Sequence, residues 1–229
     1  MLPVTPCVCL LGWPGAGKTR LLNGLQANQA LNLREAPGLV FDVRDDEQGW
    51  VVIDARSPIE DKAELTQLMN AGDAIVLMFW QEVTLDQQAW WLEQLKQMAP
   101  QKPYATSLYE SLSGARIKAL LAAPKAALNP GWPELQSFEF SLPKVVLEHL
   151  MFVLDSAKQN LAVDFWRVQA VLNTQEYVNP VALEGTRFRW DTFGADKESI
   201  PIGQIRIVGR GLNENDITAW LDACHAPAG

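Results

Sequence analysis

One stretch constrains this chain more than any other: Gly12-Trp13-Pro14-Gly15-Ala16-Gly17-Lys18-Thr19, which matches G-x-x-x-x-G-K-[ST] at every fixed position. An apolar run from Pro6 to Leu11 precedes it, and a segment with helical apolar spacing, Lys18 to Gln29, follows it. In a strand, glycine-rich loop and helix of this kind, successive amides point inward and the helix N-terminus adds its dipole. The stretch therefore predicts a phosphate-binding loop, or Walker A motif.

This loop assigns roles to single residues. The amides of Gly15, Ala16, Gly17, Lys18 and Thr19 are expected to wrap the phosphates, and Arg20, directly after them, is a further candidate nucleotide-binding residue. Lys18 would reach the β- and γ-phosphates, and the hydroxyl of Thr19 would ligate Mg²⁺. Two other interpretations stay open, which are a glycine-rich turn that fits by chance and a genuine phosphate loop whose chemistry has decayed.

A second candidate element is the apolar run Trp50-Val51-Val52-Ile53, which ends in Asp54. This is the form of a Walker B strand, in which Asp54 would hold Mg²⁺ through a water or assist a nucleophilic water. Lys18 and Asp54 are then the candidate catalytic residues, and Thr19 and Asp54 the candidate Mg²⁺ ligands. The alternative for Asp54 is a solvated acid at a strand end. The acidic residues Asp42, Asp45, Asp46 and Glu47 are expected to form a solvated loop, with a Mg²⁺ ligand as the alternative.

Strands alternate with helices in the first half of the chain. Strands are predicted at 39–43, 50–54, 74–80 and 104–107, and helices begin at Ser57, after the cap Thr84, and at Ser113. Strands 39–43 and 50–54 could pair as a hairpin across the polar turn 44–49. The alternation predicts an α/β fold with a mostly parallel sheet.

The composition changes at 123–135, where three prolines and a glycine occur. We therefore predict a P-loop nucleotide-binding domain at 1–125, a linker at 126–135 and a second domain at 136–229. In the second domain, strands at 137–141, 165–172, 185–190 and 204–208, a helix at 143–159 and a last helix capped by Asn213 predict a small α+β domain with one antiparallel sheet.

Composition narrows the class of function. The net charge is −8, so the chain lacks the basic footprint of a non-specific nucleic-acid binder, and no apolar run is long enough for a membrane span. The N-terminus lacks the basic region of a secretory signal, and three cysteines fit a reduced cytosol, so a cytoplasmic location is expected. Cys7 and Cys9 are expected to be buried small side chains, because a metal pair would need two more ligands.

With both halves in view, the chain resembles the CobW family of P-loop GTPases, metal-trafficking proteins related to UreG and HypB. The resemblance is carried by three stretches: the loop extended to Asn23, the Walker B segment Trp50 to Ser57, and the tail Ile205 to Asn213 with its closing helix and Cys224. It implies a P-loop NTPase domain followed by a CobW C-terminal-like domain, GTP-binding with magnesium, a metallochaperone role, and a protein partner docking on the C-terminal domain.

Three departures from the family pattern bear on function. The Cys-x-Cys-Cys metal motif is absent, since no cysteine lies between Cys9 and Cys224. The guanine-reading Asn-Lys-x-Asp is replaced by Met78-Phe79-Trp80-Gln81, and Arg56 and Ser57 stand where the family senses the γ-phosphate.

Three functions therefore compete: a GTP-like metallochaperone switch with weak hydrolysis, a degenerate interaction or regulatory protein without hydrolysis or metal delivery, and a small-molecule kinase using ATP.

Overall fold

The computed structural model of the chain describes residues 5–26, 31–36, 43–108, 111–125, 135–161, 163–195 and 200–227. The chain divides into two compact units, Met1–Trp132 and Pro133–Gly229. Of the predicted linker, residues 126–134 lie outside the described residues.

The first unit is an α/β unit with one sheet. Its described strands are β1 (Cys7–Leu11), β2 (Asn32–Glu35), β3 (Glu47–Asp54), β4 (Ala74–Met78) and β5 (Tyr104–Thr106). Its described helices are α1 (Lys18–Gln26), α2 (Lys62–Asn70), α3 (Leu85–Met98) and α4 (Gly114–Leu121). The strand order is β2-β1-β3-β4-β5, and every pairing is parallel. The predicted α/β class with a mostly parallel sheet is confirmed.

The strands of this sheet are buried on both faces, because every residue of β4 is buried and β3 is buried except at Gln48. Alternate residues of a strand point to opposite faces. Leu10, Val52 and Val76 accordingly share one core cluster with Leu21 of α1 and Leu120 of α4. Continuous apolar runs are the pattern expected of strands covered on both faces.

The predicted hairpin of 39–43 with 50–54 is wrong. β3 lies between β1 and β4 and pairs with both in parallel, so Trp50 and Val51 are flanked on each side. β3 also begins at Glu47, inside the predicted polar turn, and residues 39–42 lie outside the described residues. The neighbour of β1 on the other side is β2, a strand that the sequence did not predict.

Two helix predictions for this unit have different outcomes. α2 begins at Lys62, where Asp61 accepts from the backbone N–H groups of Ala63 and Glu64, so the predicted start at Ser57 is wrong. The predicted cap of α3 is confirmed, because Thr84 and Gln87 form a reciprocal capping box.

The second unit is an α+β unit with an antiparallel sheet. Its strands are β6 (Gln136–Ser141), β7 (Asp164–Leu172), β8 (Val181–Thr186), β9 (Trp190–Gly194) and β10 (Gln204–Arg210), in the order β6-β10-β7-β8-β9. Its described helices are α5 (Leu147–Asn160) and α6 (Glu214–Asp222). Leu150 and Leu154 of α5 and Ile217 and Leu221 of α6 pack in one core cluster with inward-facing residues of the sheet. The predicted class of this unit is confirmed.

Two boundaries in this unit differ from the prediction. α5 begins at Leu147 rather than at Pro143, because Val145 forms bridges with Thr174 and His225. The predicted strand 185–190 is not one strand: it covers the end of β8, the turn 187–189 and the start of β9, and Thr186 donates its backbone N–H to the carbonyl of Arg189 across this turn.

None of the described helices is both long and apolar enough to pass through a lipid bilayer.

Candidate functional site

The predicted phosphate loop has the backbone that the sequence requires. It joins the end of β1 to the start of α1, and Gly12, Gly15 and Gly17 have φ values of 135°, 82° and 91°. L-residues rarely adopt such values. Gly12 also passes close to β3, because a Cβ there would lie 2.2 Å from the carbonyl oxygen of Val52. The first and last glycines of the motif are thus required by conformation and by close approach.

The lysine and threonine of the loop are engaged by protein groups. Nζ of Lys18 donates to the carbonyl oxygens of Gly12 at 2.8 Å and Trp13 at 3.1 Å, so the side chain lies back across the loop. Thr19 donates its hydroxyl proton to Oε2 of Glu35 at 2.9 Å, and Oε1 of Glu35 is 3.9 Å from Nζ of Lys18. Glu35 therefore faces both of the side chains that the sequence predicts to bind phosphate and Mg²⁺.

The sheet topology explains why these groups meet. β1 lies between β2 and β3, and all three strands run parallel, so their carboxyl ends share one edge. The loop follows β1 at that edge, Glu35 ends β2 and Asp54 ends β3. Ligands of open α/β sheets bind at this edge, where neighbouring connections diverge. The loop therefore has one carboxylate at the end of each flanking strand.

Asp54 lies where the Walker B prediction puts it, at the end of β3, but it is paired with Arg56. Nε and Nη2 of Arg56 donate to Oδ1 and Oδ2 of Asp54, each at 2.9 Å, and the backbone N–H of Arg56 donates to Oδ1 at 3.0 Å. Nη1 of Arg56 donates to Oε2 of Glu82 at 2.7 Å. Burial alone would lower the pKa of Arg56, but the hydrogen bonds and charges of Asp54 and Glu82 raise it, so the guanidinium stays charged.

Phe79 connects this pair to the loop. It follows β4, and its φ of 58° is positive, which no other described residue except glycine shows. The Cζ atom of Arg56 lies 3.5 Å from the centre of its ring, and that of Arg20 lies at 5.6 Å. A Cβ on Gly17 would come within 3.0 Å of the same ring. Gln81, at the predicted base-reading position, lies exposed in a 3-10 turn, Trp80–Glu82.

The predicted acidic loop is divided by the structure. Asp45 and Asp46 are exposed, whereas Glu47 is buried in β3, and Asp42 lies outside the described residues. Arg34 donates to both carboxylate oxygens of Glu47, and this pairing lowers the pKa of Glu47 against the opposing effect of burial. Glu47 is therefore a structural ion-pair residue of the sheet.

The cysteines do not form a cluster in the described residues. Cys9 and Cys224 are buried, and Cys7 is partly buried. Among the residues that the structure describes, no three His, Cys, Asp or Glu side chains come together in a way that could hold a metal ion.

The oxygen donors at the loop suit Mg²⁺, which prefers one or two carboxylates together with phosphate oxygens and water. Because the hydroxyl of Thr19 gives its proton to Glu35, the lone pairs of its oxygen remain available for a metal. Glu35 is not among the residues predicted for the site, since the strand that positions it was not predicted. The pairing of Arg56 with Asp54 was not predicted either, although a spacing of two residues after a strand end allows this contact.

The fold has a clear class: an α/β unit with a glycine-rich loop after its first strand, followed by an antiparallel α+β unit. No protein-family model matches the chain, and no curated protein matches it.

The solved structures that the chain matches include two of YjiA GTPase. The Zn(II)-bound enzyme from E. coli has 13% sequence identity and a TM-score of 0.36, covering 99% of this chain and 100% of that chain. A Zn(II)-bound triple mutant of YjiA GTPase has 10% identity and a TM-score of 0.37, covering 99% and 92%. YjiA GTPase is a CobW-family P-loop GTPase, and this is the family that the sequence resembles. At such TM-scores the likeness assigns no activity to this chain.

Proposed function

We propose that this chain binds a nucleoside triphosphate with Mg²⁺ at Gly15 to Thr19 and hydrolyses it weakly, as a CobW-like protein. The observation that carries the proposal is the glycine-dependent loop with Lys18 and Thr19 at the carboxyl edge of the parallel sheet. The family resemblance of the sequence favours GTP over ATP as the nucleotide.

The residues of the loop have separate tasks in this proposal. The amides of Gly15, Ala16 and Gly17 would hold phosphate oxygens, and Lys18 would exchange the carbonyls of Gly12 and Trp13 for them. Arg20, exposed on the first turn of α1, would lie beside the nucleotide.

Bound Mg²⁺ would neutralise charge that develops on the phosphates, with Thr19 and Asp54 as the proposed ligands. Glu35 adds a third oxygen donor, because it already accepts from Thr19. Asp54 would also position the attacking water, so Lys18 and Asp54 are the proposed catalytic residues. Hydrolysis would be slow because Asp54 cannot act on a water while both of its oxygens accept from Arg56, so this pairing has to open first.

The proposal is tested by titrating the purified chain with GTP and with ATP, each with Mg²⁺ and with a chelator. We expect micromolar binding that depends on Mg²⁺ and is lost in Lys18→Ala. The matched control is Lys62→Ala, which removes an exposed lysine at the start of α2. Equal binding by wild type and Lys18→Ala, or no binding of either nucleotide, would contradict the proposal.

A second candidate function is a nucleotide-binding regulatory protein that does not hydrolyse. The contact of both Asp54 oxygens with Arg56 favours it, since a Walker B acid acts through those oxygens. Single-turnover hydrolysis distinguishes the two, because this candidate predicts nucleotide that stays intact while bound.

The remaining parts of the proposal concern context. We propose a cytoplasmic protein with domains at 1–125 and 136–229 and a protein partner on the second one. A metallochaperone role would require transition-metal binding, which equilibrium dialysis with Zn²⁺ measures directly.

A further inference from the structure

The carboxylate of Asp54 is shielded as well as paired. The side chains of Asp54 and Arg56 are 9% and 19% exposed, so their two parallel hydrogen bonds are largely protected from water. Bidentate pairs between arginine and a carboxylate fix the geometry of both partners. The guanidinium therefore occupies the side of Asp54 that presents both oxygens.

The same guanidinium connects the end of β3 with the segment after β4. Arg56 holds Glu82 in the 3-10 turn through Nη1 and lies against the ring of Phe79. The turn is further attached to α3, because the side chain of Gln88 donates to the carbonyls of Trp80 and Val83. A change at Asp54 can thus reach the start of α3 through one arginine.

The backbone at Phe79 is suited to such a change. A phenylalanine at positive φ is strained, and strained residues persist only where surrounding contacts hold them. At Phe79 these contacts are Arg56 on its ring and the close approach of Gly17 in the phosphate loop. Loss of the arginine contact would therefore remove part of what holds the strained conformation.

We propose that Arg56 is an internal competitor for Asp54, held there in the nucleotide-free protein and displaced when a nucleotide binds with Mg²⁺. This inference rests on the proposed function. A divalent cation and a guanidinium need the same carboxylate and repel each other, so both cannot be held at Asp54 together. The displacement frees Glu82 and lets the turn Trp80–Glu82 move, which couples the nucleotide site to α3.

The experiment measures the Mg²⁺ concentration at which binding of a fluorescent GTP analogue is half-maximal. If Arg56 competes with Mg²⁺, Arg56→Ala should need about tenfold less Mg²⁺, within the usual range of coupling between two ligands. Arg56→Lys keeps the charge but cannot form two parallel bonds, so an intermediate value is expected. Glu82→Gln loosens the arginine from the other side and should lower the requirement about two- to threefold, by the same coupling.

The matched control is Arg206→Ala, which removes an arginine from an exposed ion pair with Glu139 in the second unit and should change nothing. A second readout is the change in tryptophan fluorescence when the nucleotide binds, which should be smaller in Trp80→Phe. Thermal unfolding will test whether each variant is folded. If Arg56→Ala is unfolded, the Mg²⁺ requirements of Arg56→Lys and Glu82→Gln decide the outcome.

Two outcomes overturn this inference alone. An unchanged Mg²⁺ requirement would show that Arg56 does not compete, and weaker nucleotide binding in Arg56→Ala would show that it contacts the phosphates instead. Absence of nucleotide binding in every variant would overturn the proposed function as well.

Discussion

Among single residues, Glu47 shows how a charge is tolerated inside a sheet. It is 4% exposed, and Arg34, which lies in β2 on the other side of β1, donates to both of its oxygens. The pKa of Glu47 is lowered in the folded protein, so its stabilising effect is present above the pKa of the unfolded chain and is lost as the pH falls through the folded value. The pair therefore stabilises the fold at neutral pH and not in strong acid.

We expect Glu47→Gln to lower the free energy of unfolding by about 2 kcal/mol at pH 7, because the partly buried guanidinium of Arg34 loses a charged acceptor. The difference from wild type should shrink in acid, as the pH falls through the lowered pKa of Glu47 and the carboxylate of the wild type takes up a proton. Urea unfolding at pH 7 and at a series of acid pH values measures this. Glu139→Gln removes an exposed carboxylate and should change stability by less than about 0.5 kcal/mol. Equal effects of the two variants would contradict the prediction.

Two glycines give opposite predictions for the same substitution. Gly12→Ala would place a Cβ 2.2 Å from the carbonyl oxygen of Val52 at a φ of 135°, and we expect a loss of about 3 kcal/mol. Gly114→Ala meets nothing within 4 Å on the first turn of α4, and we expect a gain of about 0.5 kcal/mol. Thermal unfolding of both variants checks the signs, and a destabilised Gly114→Ala would contradict the reasoning.

For whole elements, α3 tests how much a capping box contributes. Thr84→Ala removes a hydroxyl that accepts from the backbone N–H of Gln87, so we expect a loss of about 1 kcal/mol. The control is Thr66→Ala inside α2, where the hydroxyl donates to the carbonyl of Lys62. No comparable loss is expected there, because alanine favours a helix more than the β-branched threonine does. Little or no loss for Thr84→Ala in urea unfolding would show that tertiary packing alone holds the start of α3.

Elements with a strong local signal could be predicted from the sequence. β4 is a continuous apolar run, and Thr84 with Gln87 is a capping pattern, so both lie where the sequence puts them. β2 could not be predicted, because Leu33 is its only strongly apolar residue and β1 is its only described partner. The start of β3 was missed because a charged residue such as Glu47 is typical of a loop. Only the contact with Arg34, which is distant in sequence, explains why Glu47 is buried in a strand.

The candidate site could also be predicted only where it depends on a local sequence pattern. The loop depends on a local pattern, and Asp54 ends an apolar run, so both are visible in the sequence. Glu35 reaches Thr19 only because β2 pairs with β1, which is a contact between segments distant in sequence. The pairing of Asp54 with Arg56 was not visible either, since no sequence pattern shows which cation contacts a given carboxylate.

Across the whole molecule, each unit has a core of its own. One cluster of buried residues comes from the first unit and another from the second. Each unit also contains one fully buried thiol, since Cys9 and Cys224 are both 0% exposed, whereas Cys7 is partly buried. Burial raises the pKa of Cys224, which keeps it protonated and unreactive while the fold is intact.

The two buried thiols can report separately on how fast each unit opens. In a Cys7→Ser variant, a single alkylating reagent followed by mass spectrometry of the peptides would time the opening of each core in the same sample. Because the two cores do not share residues, we expect two labelling rates in mild denaturant, with Gly12→Ala accelerating Cys9 only. Identical rates at both sites would mean that the units open together, and the two cores would then act as one cooperative structure.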